Sequence, residues 1–168
     1  MREKWNVKNK KGYLKIHVAV DVKTKKILSI KVTDEHAHDS KMLPELVDGI
    51  IDSDSITTIG KLLADGAYEG NDIFRCLADN GIMPCIKVRR NARVEKTNHI
   101  FRNLSVIFQK NNLQDWKDSV SYGQRWIAET VFSCIKRTFG EYVCSVKPKN
   151  MIQEMMLKAS LYNKLISI

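Results

Sequence analysis

No apolar run in this 168-residue chain is long enough to span a bilayer as a helix. The opening Met1-Arg2-Glu3-Lys4-Trp5 has no apolar stretch after it, so it does not read as a signal peptide. A cytoplasmic location without membrane attachment is the expectation. Cysteine is scarce: Cys76, Cys85, Cys134 and Cys144 include no pair with the two-to-four-residue gap of a zinc hook. With no secretory signal they read as reduced thiols in small core positions, which sets aside a disulfide scaffold. His17, His36 and His38 make no recognisable metal pattern. Repeats, low-complexity tracts and obvious linkers are also lacking. An apolar share of 43% is ordinary for a globular chain, and the length suffices for one domain with a real core.

Charge is plentiful but uneven. The net value is +9. Residues 1–31 hold ten bases against two acids, residues 32–81 three against eleven, and residues 82–168 fifteen against six. Basic flanks around an acidic middle suit a nucleic-acid partner, with carboxylates kept apart from a phosphate track. A lysine-rich solvated surface would give the same totals.

Tyr13 to Val22 alternates, with Leu14, Ile16, Val18, Val20 and Val22 on one face, and reads as a strand with one buried side. Lys23–Lys26 is a turn, for which Asp21 supplies ordinary turn chemistry, and Ile27 to Val32 is the return strand. Its buried face is expected to carry Leu28, Ile30 and Val32, with Ile27 pointing the other way. Asp39 is a helix N-cap, ahead of a stripe of Met42, Leu43, Leu46, Val47, Ile50 and Ile51 that ends at Ser53-Asp54-Ser55. Ile56 to Ala64 is a buried strand ending at Asp65. A helix over 69–80 follows, then Gly81 as its cap, and then a strand over 82–88. Residues 94–120 are the least regular. Phe101, Leu104, Val106, Ile107 and Phe108 point to a buried, partly helical piece. Helices over 122–139 and 151–165 complete an α/β order.

Two places carry chemistry. Asp65 ends a strand and precedes Gly66, the position from which a carboxylate projects into the crevice of an open α/β sheet; it also reads as the cap of the next helix. Further on, Tyr122, Arg125, Glu129 and Lys136 are spaced so that, at about 100° per residue, all fall on one helical stripe. Arg125 and Glu129 alone would fit a surface ion pair one helical turn apart. With a phenol and a second cation added, the stripe suits a metal ion held against a phosphodiester.

This Tyr-x2-Arg-x3-Glu-x6-Lys spacing resembles the signature of insertion-sequence transposases of the Asp-Asp-Glu class. Leu63-Ala64-Asp65-Gly66-Ala67-Tyr68 is similar to that family's second-aspartate motif. The stretch from Leu14 to Pro44, through His17-Val18-Ala19-Val20-Asp21 and His38-Asp39-Ser40-Lys41, agrees as well. The resemblance implies a ribonuclease H-like fold, a mixed sheet flanked by helices. It implies DNA cleavage and strand transfer by a Mg²⁺ (or Mn²⁺) site, with Asp65 and Glu129 as two of its three carboxylates. Tyr122, Arg125 and Lys136 would contact DNA, and Lys87, Arg89 and Arg90 extend the basic track. The family's first aspartate lies on a strand upstream of the block near Trp5. The expectation is therefore an N-terminally truncated domain, incomplete as a catalyst, that pairs as a homodimer or with a full-length transposase. The rival reading is a non-catalytic DNA-binding or dimerising module derived from such an enzyme.

Overall fold

The computed structural model describes residues 14–53, 58–96 and 99–168. Tyr13, Asp54, Ser55 and Ile56, which the sequence places at element ends, and the block near Trp5 lie outside these residues. Two compact units emerge.

The first unit contains the described residues through His38, with Glu45–Ile50 and Trp126–Ile168. Strands β1 (Leu14–Val20) and β2 (Ile27–Asp34) form an antiparallel hairpin. Asp21 closes it by accepting the backbone N–H groups of Thr24 at 2.9 Å and Lys23 at 3.3 Å, while Lys25 turns through a left-handed φ of 61°. Pairing runs in step to Ala19 opposite Ser29, then shifts so that Val20 meets Ile27. Leu28 is the extra residue of a bulge. The bulge corrects the simple alternation: it turns Ile27 onto the same core as Val18, Val20 and Ile30. Helices α5 (Trp126–Phe139) and α6 (Pro148–Leu165) supply Val131, Ile135, Ala159 and Tyr162 to that core. Asn163 on α6 clamps the hairpin, accepting the Ile27 N–H at 2.8 Å and donating to the Ile27 carbonyl at 2.7 Å. His17 is buried rather than superficial, with Nε2 2.9 Å from the Thr33 hydroxyl.

Helix α1 (Asp39–Ile51) contributes Glu45–Ile50 to this unit and Asp39–Pro44 to the other. Leu43, Leu46, Val47 and Ile50 are buried as their spacing demands, but Ile51, at the edge of the stripe in the last turn, is 48% exposed. A side chain at Gly49 would sit 2.8 Å from the Ser29 hydroxyl, so the helix backbone approaches β2 closely there.

Between α5 and α6 the chain is held by one carboxylate. Glu154 accepts the N–H of Cys144 at 3.0 Å and of Ser145 at 2.8 Å, and pairs with Lys158 at 3.2 Å. The Cys144 N–H, then that of Ser145, hold its pKa down to about 2, against an ordinary 4.5. A depressed folded-state pKa gives stability that is present above the unfolded value and is lost as pH falls through the folded one. The wild-type melting temperature is therefore expected to drop between pH 4.5 and 2. Glu154→Gln should melt a few degrees lower at neutral pH and show a flatter acid limb, read by thermal scans across that range.

The second unit contains Asp39–Pro44 and Ile51–Arg125. Strands β3 (Lys61–Ala64) and β4 (Met83–Ile86) are parallel, with Leu63 opposite Cys85, and α2 (Asn71–Asp79) makes the crossover between them. Ile73, Phe74 and Leu77 form the buried face of α2. The helix ends at Gly81, φ 69°, with the Ile82 N–H returning to Leu77 at 2.8 Å, a C-terminal closure that only glycine adopts without strain. Helices α3 (Ile100–Asn111) and α4 (Leu113–Val120) occupy the irregular stretch. The expected apolar burial there is corrected. Val106 is buried beside Arg102 and Gln109, whereas Phe101, Leu104, Ile107 and Phe108 are roughly half exposed. Polar partners for Arg102 and Gln109 on the inner side hold α3 in that orientation.

The α/β character is as expected, but the single mixed sheet is not. Among the described residues the strands form two separate pairs, one antiparallel and one parallel. No helix among these residues is long and apolar enough to cross a membrane.

Candidate functional site

Asp65 stands immediately after β3 and is exposed. Its Oδ1 accepts the Ala67 N–H at 2.9 Å, so it caps the 3-10 turn Gly66–Tyr68. Capping uses one of the roughly four acceptor positions that a carboxylate offers. Tyr68 closes the turn. Burial, then the negative charges of Asp39 and Asp65, push its phenol up to about 12, so it stays neutral beside both acids.

Tyr122 does not belong to the helix that bears Glu129. Residues Tyr122–Arg125 form a 3-10 turn and α5 begins at Trp126, so the continuous four-residue stripe is corrected. The tyrosine is buried. Its ring stacks at a tilt on Trp116, centroids 4.9 Å apart, and its hydroxyl donates to the Ala64 carbonyl at 2.9 Å. Lys61 Nζ reaches the Val120 carbonyl at 2.6 Å from the same strand. Together these contacts fix β3 to the end of α4. Tyr122 thus holds the backbone next to Asp65, and its hydroxyl is engaged with that backbone rather than presented to a phosphate. Burial raises the Tyr122 pKa, with Arg125 acting against the shift and Asp65 adding to it.

Lys87, Arg89 and Arg90 are exposed on the loop after β4. That loop lies against the Asp65 turn: a side chain at Gly66 would come within 3.2 Å of the Lys87 carbonyl and 3.9 Å of Arg89 Cγ. Within this unit the basic loop therefore lies against the Asp65 turn, and Tyr122 is bonded to the strand residue before it. Glu129 and Lys136 lie on α5 of the other unit, both exposed, with Val131 and Ile135 facing the core. The Lys136 ammonium is 3.5 Å from Glu141, an open surface pair of small energetic weight.

Carboxylate oxygens such as those of Asp65 and Glu129 are the hard donors that Mg²⁺ and Mn²⁺ prefer. Among the described residues no group of three His, Cys, Asp or Glu side chains stands together to hold a metal ion.

Two further residues organise the site without having announced themselves in the sequence. Glu69, four residues after Asp65, has its side chain almost wholly enclosed and salt-bridged to Arg102 at 2.6 Å. Arg102 sits inside an apolar segment that reads as core. The one available signal was a charge interrupting a hydrophobic run.

Residues 1–164 match the family described as the transposase DDE domain. A match over nearly the whole chain places it in that family: the protein is a DDE-type transposase domain of the kind carried by insertion sequences, mobile elements that undergo DNA transposition. No solved structure matches the chain.

Proposed function

We propose that the chain binds DNA along the basic loop after β4 and along α5, and takes part in metal-dependent phosphodiester cleavage and strand transfer in the cytoplasm. Asp65 and Glu129 are two of the carboxylates that hold Mg²⁺ or Mn²⁺ in this reading, on a ribonuclease H-like scaffold. When bound, such ions activate the attacking oxygen and stabilise the leaving one. Arg89, Arg90 and Arg125 grip phosphates through guanidinium forks, and Lys87 and Lys136 act as point charges. Tyr122 keeps the Asp65 strand end in place.

One observation supports this reading most. An exposed carboxylate sits at the C-terminal end of a parallel strand, where α/β folds bind ligands, and a loop with three exposed cations packs against its turn.

The test is the salt dependence of binding to duplex DNA from an element end, followed by cleavage of that DNA on adding Mg²⁺. Neutralising Lys87, Arg89 and Arg90 together to Gln should lower the slope of log K against log salt by about 3, since each phosphate contact contributes about 0.9. An unchanged slope would remove the loop from the DNA track. Binding that persists with no metal-dependent cleavage would leave a DNA-binding module and refute the catalytic half.

A further inference from the structure

The acidic residue nearest Asp65 in the same segment is Glu69, and the structure assigns it a different task. Both its oxygens are engaged: Oε1 meets Arg102 Nη2 at 2.6 Å and Oε2 accepts the backbone N–H of Arg89, also at 2.6 Å. Its side chain is 3% exposed, so it is closed to solvent and to a metal ion. Arg102, with a side chain 10% exposed, spreads its other nitrogen to the Arg93 carbonyl and the Glu95 carboxylate, both at 3.1 Å. The segment from Arg89 to Glu95 is thus fastened at three points to one buried ion pair. Within it the Ala92 N–H returns to the Arg89 carbonyl at 2.9 Å, and Ala92 is buried. Upstream, the Gln109 amide bonds both the Val88 N–H and the Ile86 carbonyl. With Val88 and Ala92 turned inward, Lys87, Arg89 and Arg90 are left facing outward.

A loop rich in like charges repels itself and would sample many conformations if untethered. Buried charges are costly unless fully paired, and an ion pair in this position adds little net stability over an apolar replacement. What such a pair supplies here is geometry. We propose that Glu69 and Arg102 are positioning residues for DNA contact: they fix the turn over residues 87–93 in a single shape that presents its cations beside Asp65. The turn and the ion pair together line an open cavity of about 320 Å³, edged by Glu69, Arg89, Arg93 and Arg102. This inference rests on the DNA-binding reading given above.

The two explanations of Glu69 predict opposite signs. Glu69→Gln makes the protein one charge more positive, so a purely electrostatic role would tighten DNA binding. A positioning role would weaken it, because the neutral amide loses its charge-assisted hold on Arg102 while the loop cations remain. The expected result is a loss of affinity of about 10-fold at moderate salt, with a salt slope lower by about 2 as loop contacts are lost. Arg102→Lys, which keeps the charge but replaces the three-way fork with a single ammonium, should weaken binding in the same direction. Hydrogen exchange at the Arg89 amide should accelerate in both variants, while Tyr122 and the core of α2 keep their protection. In a background where Lys87, Arg89 and Arg90 are already Gln, Glu69→Gln should add no further loss, a non-additivity that general destabilisation would not produce. Affinity equal to or above wild type in both variants would overturn the proposal. If wild-type protein itself shows no salt-sensitive DNA binding, the functional reading fails first, and the exchange of the Arg89 amide still reports whether the pair holds the loop.

Discussion

Asp65→Asn and Glu129→Gln should each lower Mg²⁺-dependent DNA cleavage by at least about 100-fold, since residues that only support metal ligands already cost 10- to 100-fold when changed. The two substitutions remove charge while keeping shape. At position 65 the amide oxygen still accepts the Ala67 N–H, and asparagine caps a turn as well as aspartate does, so the 3-10 turn persists. Asp65→Ala would remove that cap as well as the charge, adding about 1 kcal/mol of destabilisation that confuses the reading. Glu129 lies in the first turn of α5, where losing a negative charge costs about 0.3–1 kcal/mol through the helix dipole, too little to unfold the unit. DNA affinity in the presence of a chelator should stay level or rise, because a negative charge near phosphate has gone. Single-turnover cleavage and binding assayed side by side distinguish these effects. Retention of wild-type cleavage by Asp65→Asn would dismiss it as a metal ligand and leave it only its turn.

Local pattern carried much of the fold. Alternation marks β1, helical spacing marks most of the buried face of α1, and Gly81, with a left-handed φ, ends α2 where a cap is expected. What escaped depended on contacts distant in sequence. The bulge that redirects Ile27 has no marker in Ile27-Leu28-Ser29, because the extra residue is set by pairing with β1 and by the Asn163 clamp from 136 positions away. In α3 hydrophobicity does not mean burial: Phe101, Leu104, Ile107 and Phe108 are about half exposed. Its inner face is chosen instead by Arg102 and Gln109, whose partners are carboxylates and backbone groups on other elements. Asp65 was visible as an acid after a strand, and its basic loop as a charge run. Tyr122 was visible as a residue that matters, but its task depended on a hydrogen bond to a strand 58 residues earlier and on a helix starting four residues later than the spacing implied.

Gln109→Leu should destabilise the second unit by about 2–5 kcal/mol, although it replaces a polar residue on a surface-facing helix by an apolar one of similar size. The side chain is 6% exposed, and its two bonds, to the Val88 N–H at 3.0 Å and from Nε2 to the Ile86 carbonyl at 2.8 Å, are buried. Leucine supplies neither. Each stranded backbone group then bears a desolvation cost of about 1–3 kcal/mol, which the added apolar contact offsets only in part. Lys110→Leu, one residue along and exposed, is the control and should change stability by no more than about 0.5 kcal/mol. Urea denaturation of both variants measures the difference. Equal midpoints would mean that water or a shifted backbone satisfies β4 without the glutamine. A large gap would mean that the end of β4 and the start of the basic loop are set by one amide on α3, which makes the helix that looks like misplaced core a support for the edge proposed to bind DNA.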